Sequence, residues 1–113
     1  MEYSITSISD ARVIKLSGRL DSEAAPGLEA WFLEQDSRDA MFYVIDMSGL
    51  EYITSAGMRS ILKFWKLMDT RQGRLAFVSI NSQVRELFRL AGMISLMSLH
   101  NSVEDAVSQH QPR

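Results

Sequence analysis

The feature that most limits what this chain can fold into is a short apolar run followed closely by a helical one. Met41-Phe42-Tyr43-Val44-Ile45 is apolar and is closed by Asp46. A run of β-branched and aromatic residues of this length reads as a buried strand. Met58, Ile61, Leu62, Trp65 and Met68 then recur at spacings of three and four, which is one face of a helix. Met47 to Thr54 reads as the loop between them, with the helix beginning at Ser55.

The pattern repeats along the chain. Tyr3 to Ile8 and Arg12 to Leu16 alternate as strands around a Ser9-Asp10 turn, which favours a hairpin. Ser17-Gly18-Arg19-Leu20-Asp21 then leaves the sheet. Asp21 or Ser22 can cap a helix whose early Pro26 is tolerable only at its start. Leu28, Trp31 and Phe32 form its apolar face, and Ser37-Arg38-Asp39 ends it. Gly73 closes the helix that starts at Ser55. Leu75 to Ile80 is a further buried strand. Asn81-Ser82 offers the cap for a helix with Val84, Leu87, Phe88 and Leu90 on one face, and Ala91-Gly92 ends it. Ile94 to Leu99 reads as the last strand, and Ser102 caps a final helix through Val103, Ala106 and Val107. The predicted class is α/β, in the order β-β-α-β-α-β-α-β-α. Such alternation after a hairpin means a mixed sheet with parallel crossovers, its helices packed mainly on one face. Residues 1–108 form one domain, and 109–113 a frayed, flexible C-terminal tail.

Composition narrows the function classes. A chain of 113 residues is the size of one domain with a real core. A net charge of −2 gives no electrostatic footprint for nucleic acid. The absence of cysteine removes disulfides, thiolate metal sites and cysteine nucleophiles, and suits the cytoplasm. No stretch is apolar enough for a membrane span, and the N-terminus lacks a signal-peptide pattern, so no membrane partner is expected. Neither a P-loop nor a Gly-rich dinucleotide turn is present. The hydrolase elbow needs a glycine two residues before its serine, where this chain has Ile53. His100 and His110 are the only histidines, His100 reading as a polar residue at a strand end. No metal or cofactor set follows from the spacing.

Ser55 has two readings. Its oxygen can cap the first turn of the helix, or its hydroxyl can be a nucleophile or phosphate acceptor at the helix mouth. Gly57 is a poor residue inside a helix and points to close backbone approach by a neighbouring loop or a partner. Asp46 reads as a carboxylate that fixes the Ser48-Gly49 turn. Arg59, Lys63 and Lys66 fall at helical spacing as a basic stripe, which is either a solvated face or a docking face.

The stretch from Asp46 to Gly57, DMSGLEYITSAG, resembles the signature of the single-domain STAS proteins that act as bacterial anti-sigma factor antagonists. Gly18-Arg19-Leu20-Asp21, followed by Ala25-Pro26 and Leu28, is similar to a second pattern of that family. Both motifs stand at family spacing, and the likeness spans Tyr3 to Val107.

The resemblance implies a phosphorylation switch rather than an enzyme. The serine matching Ser55 is the phosphate acceptor, with Thr54 as the alternative, because Thr54 replaces the aspartate of many members and adds a second hydroxyl. The implied partners are an anti-sigma factor carrying a histidine-kinase-like ATPase/serine kinase domain and a PP2C-type phosphatase. The partner kinase uses the ATP, so this chain, expected to be a monomer, needs no cofactor. The implied partner-binding surface takes in Asp21, Ser48, Thr54, Ser55 and Gly57. The stripe Arg59, Lys63 and Lys66 continues it. Two other readings stand beside this one: a constitutive interaction or scaffold module with Ser55 only a cap, and a small enzyme using Ser55 and Asp46, which lacks a base.

Overall fold

The computed structural model describes residues 1–35 and 40–109. The expected helix end at Ser37-Arg38-Asp39 and residues 110–113 of the expected 109–113 tail lie outside these residues, while Gln109 is the last residue of the final helix rather than tail. Five strands, β1 (Glu2–Ile8), β2 (Ala11–Leu20), β3 (Phe42–Ile53), β4 (Arg74–Val78) and β5 (Ser98–His100), form one sheet in the order β1-β2-β3-β4-β5. β1 and β2 are an antiparallel hairpin, and every later pairing is parallel. The helices are α1 (Ala25–Gln35), α2 (Ser55–Thr70), α3 (Ser82–Leu90) and α4 (Val103–Gln109).

Strand order explains where the helices go. Parallel crossovers are right-handed, so strands added always in one direction throw each crossover helix onto the same face. The main core accordingly joins Ile14, Leu16, Tyr43, Ile45, Leu75 and Phe77 of the sheet to buried residues of α1, α2 and α3. The alternate residues Val13, Phe42, Val44, Ala76 and Val78 face the other way, and Ala106 of α4 covers them. Three helices thus lie on one face and one on the other, in keeping with the expectation that they pack mainly on one face.

Several boundaries differ from the sequence reading. β2 does not leave the sheet at Ser17. It continues to Leu20 by absorbing register shifts between Lys15 and Ser17 and between Gly18 and Arg19. Gly18 makes this possible, with φ +98°, a backbone region L side chains rarely adopt. β3 likewise does not stop at Asp46, and Met47 to Ile53 is strand rather than loop. The ladder to β4 ends at Asp46↔Val78, but β2 keeps pairing as far as Leu20↔Ile53. On the abandoned side, side-chain amides take over. Asn81 Nδ2 donates to Leu50 O at 3.0 Å and Gln83 Nε2 to Ile53 O at 3.3 Å.

The expected last strand from Ile94 is a 3-10 turn, Ile94–Leu96, before the short β5. The left-handed residue ending α2 is Gln72, φ 60°, one place before the expected Gly73. α3 ends as read, with Gly92 at φ +74° and Met93 N donating to Phe88 O at 3.0 Å. Asn81 and Ser102 cap α3 and α4, accepting from Val84 N at 2.8 Å and Asp105 N at 3.1 Å.

Candidate functional site

The candidate site lies where β2 and β3 end and α1 and α2 begin. Thr54 N donates to Leu20 O at 3.0 Å, which ties the end of β3 to the end of β2. The residue after Leu20 is Asp21, so Asp21 and Ser55 flank one backbone hydrogen bond. Asp21 Oδ1 accepts from Glu23 N at 3.1 Å and Ala24 N at 3.0 Å, holding the turn that leads into α1. Pro26 sits in the first turn of that helix, where its missing N–H costs nothing.

The cap of α2 is Thr54, not Ser55. Thr54 has extended backbone, φ −103° and ψ 171°, and its Oγ1 accepts from Gly57 N at 3.2 Å. The hydrogen bond to Leu20 fixes Thr54 as the last extended residue, so Ser55 becomes the first helical one. Its hydroxyl makes no hydrogen bond among the described residues, and the side chain is exposed. Thr54 is half-buried.

Gly57 is the reason α2 can start so close to β2. A Cβ there would run into Leu20 O and lie 2.7 Å from Leu20 Cγ and 2.9 Å from its carbonyl carbon. The close approach read from the sequence is therefore real, and the neighbour is the chain itself. With its side of the backbone packed on Leu20, Gly57 is buried and shapes the site from beneath.

The other predicted residues divide. Ser48 N donates to Asp46 Oδ1 at 3.0 Å, as expected of a local turn, but this occurs inside β3. Thr54 is six positions beyond Ser48 along extended chain, ~20 Å at ~3.3 Å per residue. Ser48 is thus not in the cluster around Ser55, because the presumed loop cannot fold back. Arg59, Lys63 and Lys66 are all exposed on α2 and lead away from Ser55. Lys63 already pairs with Glu29 of α1 at 3.3 Å. Arg59 and Lys66 have no ion pair among the described residues.

One contact was not foreseen. The Arg19 guanidinium lies over the Tyr52 ring, 4.4 Å from its centroid, and Tyr52 remains 38 % exposed. Both residues were visible in the two motifs. Their juxtaposition follows from the Arg19↔Tyr52 register beyond the β2 shift, which no local pattern encodes. His100 behaves as a strand-end polar residue, its Nε2 3.0 Å from Ser98 Oγ. Among the described residues no group of three or more His, Cys, Asp or Glu could hold a metal ion, and no helix is long and apolar enough to cross a membrane.

Comparison with known proteins agrees with this architecture. The family model of the STAS domain matches residues 2–106. The chain is 32% identical over 108 residues to a Bordetella bronchiseptica protein named as an anti-sigma factor antagonist, BtrV, covering 96% of this chain and 93% of that one. A structure of an anti-sigma factor antagonist from Thermotoga maritima superposes with a TM-score of 0.88 at 18% identity, covering 95% and 92% of the two chains. SpoIIAA, a Bacillus cell fate determinant in its phosphorylated form, superposes with a TM-score of 0.75 at 19% identity, covering 96% and 98%. At these identities the two structures speak for the fold. The family match and the BtrV likeness, on a chain that carries both motifs at one end of the predicted sheet, place this protein in the STAS-domain family of the anti-sigma factor antagonists.

Proposed function

We propose that this protein is an anti-sigma factor antagonist that works by partner switching, with Ser55 as its phosphate acceptor. The unphosphorylated form binds an anti-sigma factor that is also an ATP-using serine kinase and makes it release its target. Phosphorylation of Ser55 blocks that binding, and a PP2C-type phosphatase restores it. The module acts in the cytoplasm as a monomer and needs no cofactor of its own.

The observation that carries this reading is the division of labour between two adjacent hydroxyls. Thr54 is committed to capping α2, while Ser55 is exposed and uncommitted. A kinase can reach Ser55 without undoing a structural hydrogen bond, whereas modifying Thr54 would remove the cap. The family likeness supports the same assignment, and SpoIIAA exists in both phosphorylated and unphosphorylated forms.

The physics favours a docking switch over an unfolding switch. A phosphate brings about −1.5 to −2 charges. At the first helical residue it meets free N–H groups and the favourable end of the helix dipole. The fold therefore tolerates it. A partner surface would instead have to desolvate a dianion, which is costly.

The test is phosphopeptide mapping of protein isolated from its native cells, followed by labelling with the kinase that co-purifies with it. Phosphate is expected on Ser55, retained in Thr54→Val and lost in Ser55→Ala. Label on Thr54 in the wild type refutes the assignment. Absence of any phosphate on a chain that still binds its partner leaves a constitutive interaction module.

A further inference from the structure

Arg59 is the first cation of α2 and stands four residues after Ser55. Positions i and i+4 are neighbours on a helix surface, with Cβ atoms ~5–6 Å apart. Each Cα–Cβ bond tilts toward the helix N-terminus, so a side chain at position 59 leans over the turn that Ser55 opens. Both residues are exposed, while Gly57, Met58, Ser60 and Ile61 around them are buried. In the unmodified chain Arg59 has no ion pair among the described residues. Neither the cap of α2 nor the packing of the fold accounts for an arginine at this place.

The helix neighbours of Arg59 decide what it can pair with. They are Ser55 and Ala56 one turn before it, and Leu62 and Lys63 one turn after it. Ala56 and Leu62 are apolar. Lys63 is a like charge, and it already pairs with Glu29 of α1 at 3.3 Å. Ser55 is the one neighbour of the four that can become an anion. We propose that Arg59 is the internal receptor of the Ser55 phosphate, its guanidinium closing on the phosphate across one turn of α2. The inference rests on the reading of Ser55 as the phosphate acceptor.

Orientation, geometry and surroundings favour this pair. An anion placed N-terminal to its cation at i, i+4 is the better order on a helix, and here the anion comes first. The guanidinium fork presents parallel N–H groups to two phosphate oxygens, which makes an arginine–phosphate hydrogen bond stronger than a neutral one. The surroundings supply the need. Asp21 and Glu23 in the turn into α1 and Glu51 near the end of β3 are acids at the same end of the sheet. A dianion added among them is stabilised by a cation within reach. The other cation at this end is Arg19, and its guanidinium already lies over the Tyr52 ring, 4.4 Å from the centroid.

The consequence is a switch with two parts. Phosphorylation adds an anion at the head of α2 and occupies the cation that follows it on the helix. A partner that meets a free Arg59 on the unmodified protein meets an engaged one on the modified protein. The pair also lies along the helix it modifies, so it tightens the first turn of α2 instead of straining it.

The experiment encodes phosphoserine at position 55 of the full chain, so that no kinase is needed. The phosphate is titrated by phosphorus NMR in this protein and in the same protein carrying Arg59→Gln, Arg59→Lys, Arg19→Gln or Lys66→Gln. A guanidinium beside the phosphate favours its dianion, so the parent should titrate a few tenths of a pH unit below Arg59→Gln. Arg59→Lys should recover part of that shift. Arg19→Gln and Lys66→Gln should leave it whole, Lys66 lying about three turns on, ~16 Å along the helix. Proton exchange at Arg59 Nε–Hε should slow on phosphorylation. Without phosphate, Arg59→Gln should melt with wild type, because the side chain is exposed and unpaired. The proposal is overturned by equal titration of the parent and Arg59→Gln, by a shift lost in Arg19→Gln or Lys66→Gln instead, or by unchanged exchange at Arg59 Nε–Hε. The two readings fail separately. Native phosphate on Ser55 with no Arg59 effect removes only the internal receptor. A clear Arg59 effect in the encoded phosphoprotein, with native phosphate mapped to another residue, removes only the Ser55 switch.

Discussion

Replacing Gly57 by alanine sets two effects of known sign against each other. Helix propensity alone says the change is favourable by about 1 kcal/mol, since glycine is among the poorest residues inside a helix. Packing says the opposite. The new methyl would lie 2.7 Å from Leu20 Cγ and 2.9 Å from the Leu20 carbonyl carbon, as well as against its oxygen. Ordinary carbon contacts are ~3.5–4.0 Å, so something must move by close to ~1 Å. The obstacle cannot swing aside. Leu20 is fully buried, its backbone pairs with Ile53, and its carbonyl accepts from Thr54 N. Overpacking of this kind costs about 1–3 kcal/mol. Because the clash is with backbone that cannot give, its cost belongs in the upper part of that range, ~2–3 kcal/mol, and after the ~1 kcal/mol of propensity the net expectation is a loss of ~1–2 kcal/mol, or a melting temperature lower by ~4–8 °C in a domain of this size. Gly27 supplies the control. It is exposed in α1, and a Cβ there would meet only Tyr3 OH at an ordinary 3.5 Å. Gly27→Ala should therefore gain up to ~1 kcal/mol from propensity. Thermal and urea melts of both variants give the answer. If Gly57→Ala is as stable as wild type or more so, the tight seating of α2 on β2 is wrong, and so is the explanation of why the helix begins at Ser55.

The remaining predictions concern the hydroxyls, the charge and one surface pair. Thr54→Val removes the α2 cap and should cost about 1 kcal/mol, whereas Ser55→Ala should change stability by only a few tenths. Urea titration showing the larger loss at Ser55 would return the cap to that residue. Ser55→Asp places a carboxylate in the first turn, where it contributes ~0.3–1 kcal/mol, so its melt should lie at or slightly above wild type while partner binding falls in calorimetry. Binding lost only in proportion to unfolded protein would mean that the charge acts through the fold. The Glu86 carboxyl is held below the ordinary glutamate range, first by its hydrogen bond from Arg89, with the guanidinium's charge helping against desolvation. Its contribution to stability is then present above the unfolded pKa and is lost as pH falls through the depressed folded value. Carboxyl NMR titration should show this depression in wild type and not in Arg89→Gln.

Much of the architecture was legible because it is encoded locally. The alternation in β1, the apolar run opening β3 and the three- and four-residue spacing in α2 each report which side of one element is buried. Asn81, Ser102 and Gly92 signal helix ends through chemistry confined to a single turn. Asp46 could be read as a turn-fixing carboxylate, and Asp21 as a cap before α1, because their partners lie within three residues. The two motifs flanking the site were legible for the same reason.

What the sequence by itself determined, then, is the order and type of the elements, the face each one buries, and the neighbourhood in which Ser55 had to lie. The tertiary structure alone decided the atoms. It made β3 run on to Ile53, because β2 on one side and Asn81 and Gln83 on the other continue its hydrogen bonds. It chose Thr54 as the cap, because the Thr54–Leu20 hydrogen bond and the seating of Gly57 on Leu20 set the helix start to the residue. It put Arg19 over Tyr52 and stacked Phe32 of α1 on Phe64 of α2. Each of these depends on strand register or on two helices meeting across many intervening residues. Hydrophobic periodicity says which side of an element is buried, but not how far it slides against its neighbour.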